Sequence, residues 1–222
     1  TGTVTDGISF HAWDQTSGAA GGTADLSPTT LNLLDEFSNP PSYDNNHGTE
    51  TWSGSWVEND SAGPGDVNNG NIKVKQSQLE IVPETAGDWI YRQADLTGAI
   101  SASLSFSYDN SLSGAQQVDL QVSDDGGLTF ITIDSFSTGS NSGTGTITTD
   151  ITSYIADDLQ VRFFVETGES GNPNDNLRID DLQIEFTRND AIGGATSFSS
   201  DVASSDITVN PVNDLPVGLP VI

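Results

Sequence analysis

Apolar residues along this chain recur at every second position, not at the three- and four-residue spacing of a helix face. The alternation runs through Ile72/Val74, Leu79/Ile81, Ala102/Leu104/Phe106/Tyr108, Val118/Leu120/Val122, Val161/Phe163/Val165 and Leu182/Ile184/Phe186. Successive side chains of a strand point to opposite faces, so each run predicts a β-strand with one buried and one solvated face. Turn-forming clusters lie between the runs: Gly63-Pro64-Gly65, Asp125-Gly126-Gly127 and the Ser/Gly/Thr-rich stretch from Ser137 to Thr149. Short strands at this cadence predict an all-β protein, an antiparallel jelly-roll β-sandwich. One change of phase stands out. Leu177 and Ile179 fall on odd positions but Leu182, Ile184 and Phe186 on even ones, which predicts a bulge or bend at Asp180-Asp181.

The two ends differ from the middle. Residues 1–30 and 188–222 are rich in Ala, Ser, Thr and Gly, with strand-like patterning only at Ile8-Ser9-Phe10-His11-Ala12-Trp13 and Asp206-Ile207-Thr208-Val209. Neither end is long enough to bury a core alone. Together they predict one small β-domain split by a larger domain inserted over residues 31–187.

Charge narrows the function classes. Asp and Glu number 32 against six Lys and Arg, a net charge of −26, so nucleic acid and anionic membrane find no basic surface to meet. No run of about 18 apolar residues and no signal-peptide pattern is present, so no membrane insertion is expected. With no cysteine there are no disulfides and no zinc-thiolate sites. Asp outnumbers Glu by 24 to 8, and Asp favours turns and caps, which places the carboxylates mostly in loops. Crowded carboxylates repel unless cations neutralise them, and calcium prefers oxygen-rich loops.

Two places invite a cation. Asp35-Glu36 and Asp180-Asp181 open and close the insert, and meet if its first and last strands are neighbours. The stretch Tyr43 to Asn71 sets Asp44, Asn46, Glu50, Glu58, Asp60 and Asp66 among small residues and glycines, which resembles a calcium loop in kind without the EF-hand spacing. Trp52 and Trp56, four residues apart, share a face if extended, and at least one belongs to the core. Tyr43, His47 and Trp52 could then form an aromatic wall beside Glu58, Asp60 and Asp66, taking a sugar by stacking and diol coordination or the carboxylate of a peptide end. Arg92, with Tyr91 and Trp89 beside it, is the basic residue expected nearest the ligand. Catalysis is not expected: His11 and His47 fall in different domains, and neither G-x-S-x-G nor H-E-x-x-H occurs.

The terminal segments ISFHAWDQTSGAAGGTADLS and SDITVNPVNDLPV resemble the second half of the cadherin-like or bacterial immunoglobulin-like repeats of large secreted RTX adhesins of Gram-negative bacteria. In that family the Asn-Asp-x-Pro junction resembles a calcium-ligating linker between repeats, here Asn213 and Asp214. The insert resembles the ligand-binding jelly rolls near the distal ends of such adhesins, through Leu34-Asp35-Glu36-Phe37, the Thr51 to Glu58 segment, Ile90-Tyr91-Arg92, the Val122 to Gly127 hairpin and Ile179-Asp180-Asp181-Leu182. Separately, Ser123-x-Asp125-x-Gly127-x-Thr129-Phe130 resembles the Asp-box of sialidase propellers, a motif that stabilises a hairpin turn and is not catalytic. One box and four arginines do not make a sialidase. The resemblance implies an extracellular, cell-surface module with adjacent repeats of the same long chain as neighbours. The expectation is a calcium-dependent (Ca2+) adhesin module that binds a short peptide or protein terminus without catalysis. A glycan-binding module is the first alternative and a calcium-rigidified spacer the second.

Overall fold

Each run of alternating apolar residues forms a strand, because burying one face of an extended segment against a second sheet removes its apolar side from water and leaves the polar side solvated. The protein is described here from a computed structural model covering residues 2–15, 26–63, 65–169, 172, 174–189 and 198–210. The chain divides into two units, Thr1–Ser27 with Asp190–Ile222, and Pro28–Asn189.

In the first unit β1 (Gly2–Trp13) pairs antiparallel with β13 (Phe198–Val209), from Gly2↔Val209 to Trp13↔Phe198. The two strand-like segments of the chain ends therefore pair across most of the sequence. His11 Nδ1 lies 2.7 Å from the Ser199 carbonyl and helps to fix that register.

The second unit is a jelly-roll sandwich of two antiparallel sheets. One contains β2 (Thr29–Asp35), β4 (Ile72–Lys75), β5 (Gln78–Ile81), β7 (Ala99–Asn110), β10 (Gly143–Asp150) and β12 (Leu177–Arg188), in the order β10-β7-β12-β5-β4 with β2 also on β12. The other runs β3 (Val57–Asn59), β6 (Trp89–Ala94), β11 (Leu159–Thr167), β8 (Gln117–Ser123), β9 (Ile131–Ser137). Leu104, Phe106, Ile179, Leu182, Ile184 and Phe186 of the first sheet are buried against Ile90, Val118, Leu120, Val161, Phe163 and Val165 of the second. Phe106 sets its ring edge-on to Phe163 at 5.6 Å between centroids. Each such side chain contributes about 1.5–3 kcal/mol of burial.

The bulge lies where the phase change placed it. Asp181 has φ 52°, and the β12–β7 register shifts between Asp180 and Gln183. Its role is topological: Leu177–Ile179 pairs with β5, whereas Leu182–Arg188 pairs with β2. The strand changes neighbour at the bulge, and the extra residue restores the apolar face to the core. The stretch from Ser137 to Thr149, expected as a turn, holds strand β10 over most of its length. It lies at the sheet edge, where Ile147 alone is buried, so Thr and Gly fill its solvated positions.

Candidate functional site

The outer face of the five-stranded sheet carries side chains that alternation would normally make small and polar. Inward positions of β6 and β11 are Ile90, Arg92, Ala94 and Leu159, Val161, Phe163, Val165, so Trp89, Tyr91, Gln160, Arg162 and Phe164 belong to the outer face. Strand register arranges them in rows. One runs Asn59, Trp89, Phe164, Asp119, Ser135, and the next Val57, Tyr91, Arg162, Gln121, Thr132. Trp89 and Tyr91 are half-exposed, with ring centroids 5.5 Å apart and planes tilted by 31°.

Beside them lies a groove of about 230 Å³, lined by Trp89, Tyr91, Gly126, Gly127, Phe130, Gln160 and Arg162. Its far wall is the β8–β9 hairpin, which the Asp-box residues build. Ser123 Oγ donates to Asp125 Oδ1 at 2.7 Å and accepts from Gly127 N at 2.9 Å. Asp125 also accepts from Thr129 N at 2.9 Å and Thr129 Oγ1 at 2.6 Å. These donors, the Thr129 hydroxyl foremost, hold the Asp125 carboxyl down at about 2. Gly126 and Gly127 take φ of 68° and 89° to close the turn, and a Cβ on Gly127 would sit 2.6 Å from Gln160 Oε1. Gln160 in turn donates to Gly126 O at 3.1 Å.

The hairpin delivers Phe130 onto Arg162, whose Cζ lies 3.4 Å from the centre of that ring and 5.0 Å from that of Phe164. Nε and Nη2 of Arg162 both donate to Gln121 Oε1, the former at 2.9 Å. Burial pulls its pKa below the usual arginine value. Asp119, on the same face, is nearly buried and accepts from Gln117 Nε2 and Ser135 Oγ, each at 2.8 Å. The result is an aromatic floor edged by an amide, a guanidinium and a rigid turn.

Of the residues expected to touch a ligand, Tyr91 lines this groove. Arg92 does not: its neighbour Tyr91 faces out, so Arg92 must face in, and it is fully buried. Nη1 of Arg92 meets Asp35 Oδ2 at 2.5 Å and Nε donates to Gly54 O at 2.9 Å, while Cζ lies 4.9 Å from the Trp52 ring. Burial lowers Arg92 to about 10 and raises Asp35, while each partner's charge favours the ionised form of the other. Trp52 and Trp56 are both core residues, Trp56 Nε1 donating to Asp35 Oδ2 at 2.8 Å. Asp60 is buried and knits its own loop, accepting from Ala62 N, Asn71 N and Ile72 N at 2.6–2.9 Å. Asp66 is an exposed turn cap for Asn68 and Asn69. Tyr43 donates to Glu58 Oε2 at 3.0 Å, and burial raises both groups. His47 is exposed, with Nδ1 3.7 Å from Glu36. No aromatic wall of Tyr43, His47 and Trp52 is assembled, because the tryptophan is spent on the core.

The residues expected at a cation fare similarly. Asp35 is taken up by Arg92, Trp56 and the Phe37 N–H. Asp44 accepts from Ser55 Oγ, and Asn46 Oδ1 from Trp52 N at 2.9 Å, so both serve as loop caps. Asp180 is raised by burial, with Asp181 and Glu36 adding like charge, yet among the described residues no three His, Asp or Glu side chains converge to hold a metal. Asn213 and Asp214 lie outside the described residues.

No protein-family model matches the chain, and no curated protein matches it. Solved structures similar to it include a family 29 carbohydrate-binding module, at 14% identity and TM-score 0.45 over 72% of this chain and 87% of that one. A xylan-binding module, CBM15, is similar at 12% identity and TM-score 0.43 over 63% and 95%. The secreted serine protease VesC from Vibrio cholerae is similar at 17% identity and TM-score 0.37 over 58% of this chain and 23% of the protease.

Proposed function

We propose that this protein binds glycan without catalysis, at the groove on the outer face of its five-stranded sheet. The observation that carries the reading is the half-exposed Trp89–Tyr91 pair beside a guanidinium and an amide. A pyranose ring presents an apolar C–H face and a rim of hydroxyls, so it stacks on aromatic rings while forked donors and acceptors take the rim. The groove also lies over β6 and β11, interior strands whose backbone hydrogen bonds are already used. An extended peptide gains most of its affinity by pairing with a free sheet edge, which this location does not offer. The order in which the sequence ranked peptide and glycan is therefore reversed.

The surface-adhesin setting belongs to the same proposal: the resemblance of the chain ends to repeats of long adhesins would put the groove at a cell surface, between neighbouring repeats. Calcium enters it as a counter-ion for the acidic surface, not as a bridge to the ligand.

The test is a glycan array followed by titration of the best oligosaccharide against the intact chain and the Trp89→Ala and Tyr91→Ala variants. Loss of a stacked ring should weaken binding about tenfold or more, with folding unchanged. Undiminished binding in both variants would remove the groove from consideration.

A further inference from the structure

Arg162 stands apart from the other cationic side chains. Lys73, Lys75 and Arg178 converge on Glu80, Arg188 reaches Glu50 and Arg92 is paired with Asp35. Among the described residues no carboxylate lies within ion-pair distance of Arg162, in a chain with 32 acidic groups against six basic ones. Its hydrogen-bond partner is instead the neutral Gln121. Two neighbouring carboxylates are satisfied by neutral donors, Asp119 on its face by Gln117 and Ser135, and Asp125 in the hairpin by Ser123 and Thr129.

Two further features show that the guanidinium is held ready. Its Cζ lies over the Phe130 ring at 3.4 Å from the centroid, so the ring covers it and strips water from one side. Nε and Nη2 are engaged by Gln121, whereas Nη1 has no acceptor among the described residues, so part of the fork remains open in a groove large enough for a sugar ring. A planar fork of this kind matches a carboxylate, and its charge-assisted bonds strengthen where water is excluded.

We propose that Arg162 receives a carboxylate of the bound glycan, so that the ligand is a mainly neutral oligosaccharide carrying one acidic sugar, a uronic or sialic acid. The proposal rests on the glycan reading of the same groove. The net charge of −26 sets the other limit: a polyanionic chain would be repelled along its whole length, whereas one carboxylate seated on Arg162 meets the cation at contact and the rest of the protein only through screened distance.

The full chain would be titrated with a xylo-oligosaccharide bearing one glucuronic acid and with sialyllactose. Each is compared with its carboxyl-reduced counterpart, alongside a short peptide with a free or amidated C-terminus. The expected result is about tenfold or greater preference for at least one acidic sugar over its reduced form. In Arg162→Gln that preference should vanish, and in Arg162→Lys it should fall partway, since the charge remains without the fork. Equal affinity for acidic and reduced forms overturns the carboxylate proposal and leaves glycan binding standing. Silence toward every glycan overturns both. Peptide binding that is lost on amidation, without glycan binding, gives the groove to a peptide terminus and also overturns both. The comparison of acidic with reduced sugar needs no variant, so it decides the matter even if Arg162→Gln folds poorly.

Discussion

Arg92 and Arg162 sit on adjacent strands, one residue out of step, since Tyr91 pairs with Arg162 and Arg92 with Val161. That single step sends one guanidinium into the core and the other onto the surface. The inward one meets Asp35 and Gly54 O at full burial, where an ion pair is favourable only while both partners are present. Arg92→Met should therefore lower stability by about 3–5 kcal/mol in urea denaturation, because it leaves Asp35 buried without its counter-charge. Asp35→Leu combined with Arg92→Met should recover much of that loss, and failure to recover it would mean that Trp56 and Gly54 need the charged pair for more than neutralisation. Arg162→Gln takes two donors from the buried Gln121 Oε1 but strands no charge, so it should cost about 1–2 kcal/mol in the same assay.

At the scale of elements, the β8–β9 hairpin is held by one carboxylate. Asp125 ionises well below its ordinary value, from 3.8 to about 2, so the folded hairpin prefers the charged form. Its stabilisation is complete above the unfolded pKa and is lost as pH falls from about 4 to about 2. Amide exchange at Gly127 and Thr129 should accelerate in that window, and Asp125→Ala should show the fast exchange at neutral pH together with weakened ligand binding. Gly127→Ala should also weaken binding, since its methyl group collides with Gln160 and the turn needs positive φ. Strands with a clean period of two were legible in the sequence, as was the bulge at Asp180-Asp181. Strand β10 was not, because one buried Ile147 among Thr and Gly leaves no periodic signal and reads as a turn. The site was legible in principle: once Val161, Phe163 and Val165 face inward, Arg162 and Phe164 must face outward, and Trp89 and Tyr91 follow in the same way. Proximity in sequence places Arg92 beside Tyr91, but the strand period turns it inward. What sequence could not supply was the number of carboxylates already used as Asx caps and loop ties, a quantity that depends on the folded geometry of Asp44, Asp60 and Asp66.

For the whole molecule, charge dominates solution behaviour. A net charge of −26 on 222 residues is self-repelling, and salt screens it over about 10 Å at 0.1 M. The melting temperature should rise with added sodium chloride. Calcium should raise it further than sodium at equal ionic strength, as the more strongly attracted counter-ion. A saturable effect of calcium alone at micromolar levels would reveal a dedicated site.

One last consequence follows from the pairing of β2 with β12. Thr29, near the start of the second unit, lies opposite Arg188, near its end, and the ladder continues antiparallel to Asp35↔Leu182. Once β1 and β13 have parted, a pull applied through the chain on both sides of this unit arrives at one corner of one sheet and opens that ladder like a zipper, pair by pair. The sheet that bears Trp89, Tyr91 and Arg162 is outside this line of force. Under such a pull the sandwich behind the groove begins to yield only after the zipper has run through to the bulge.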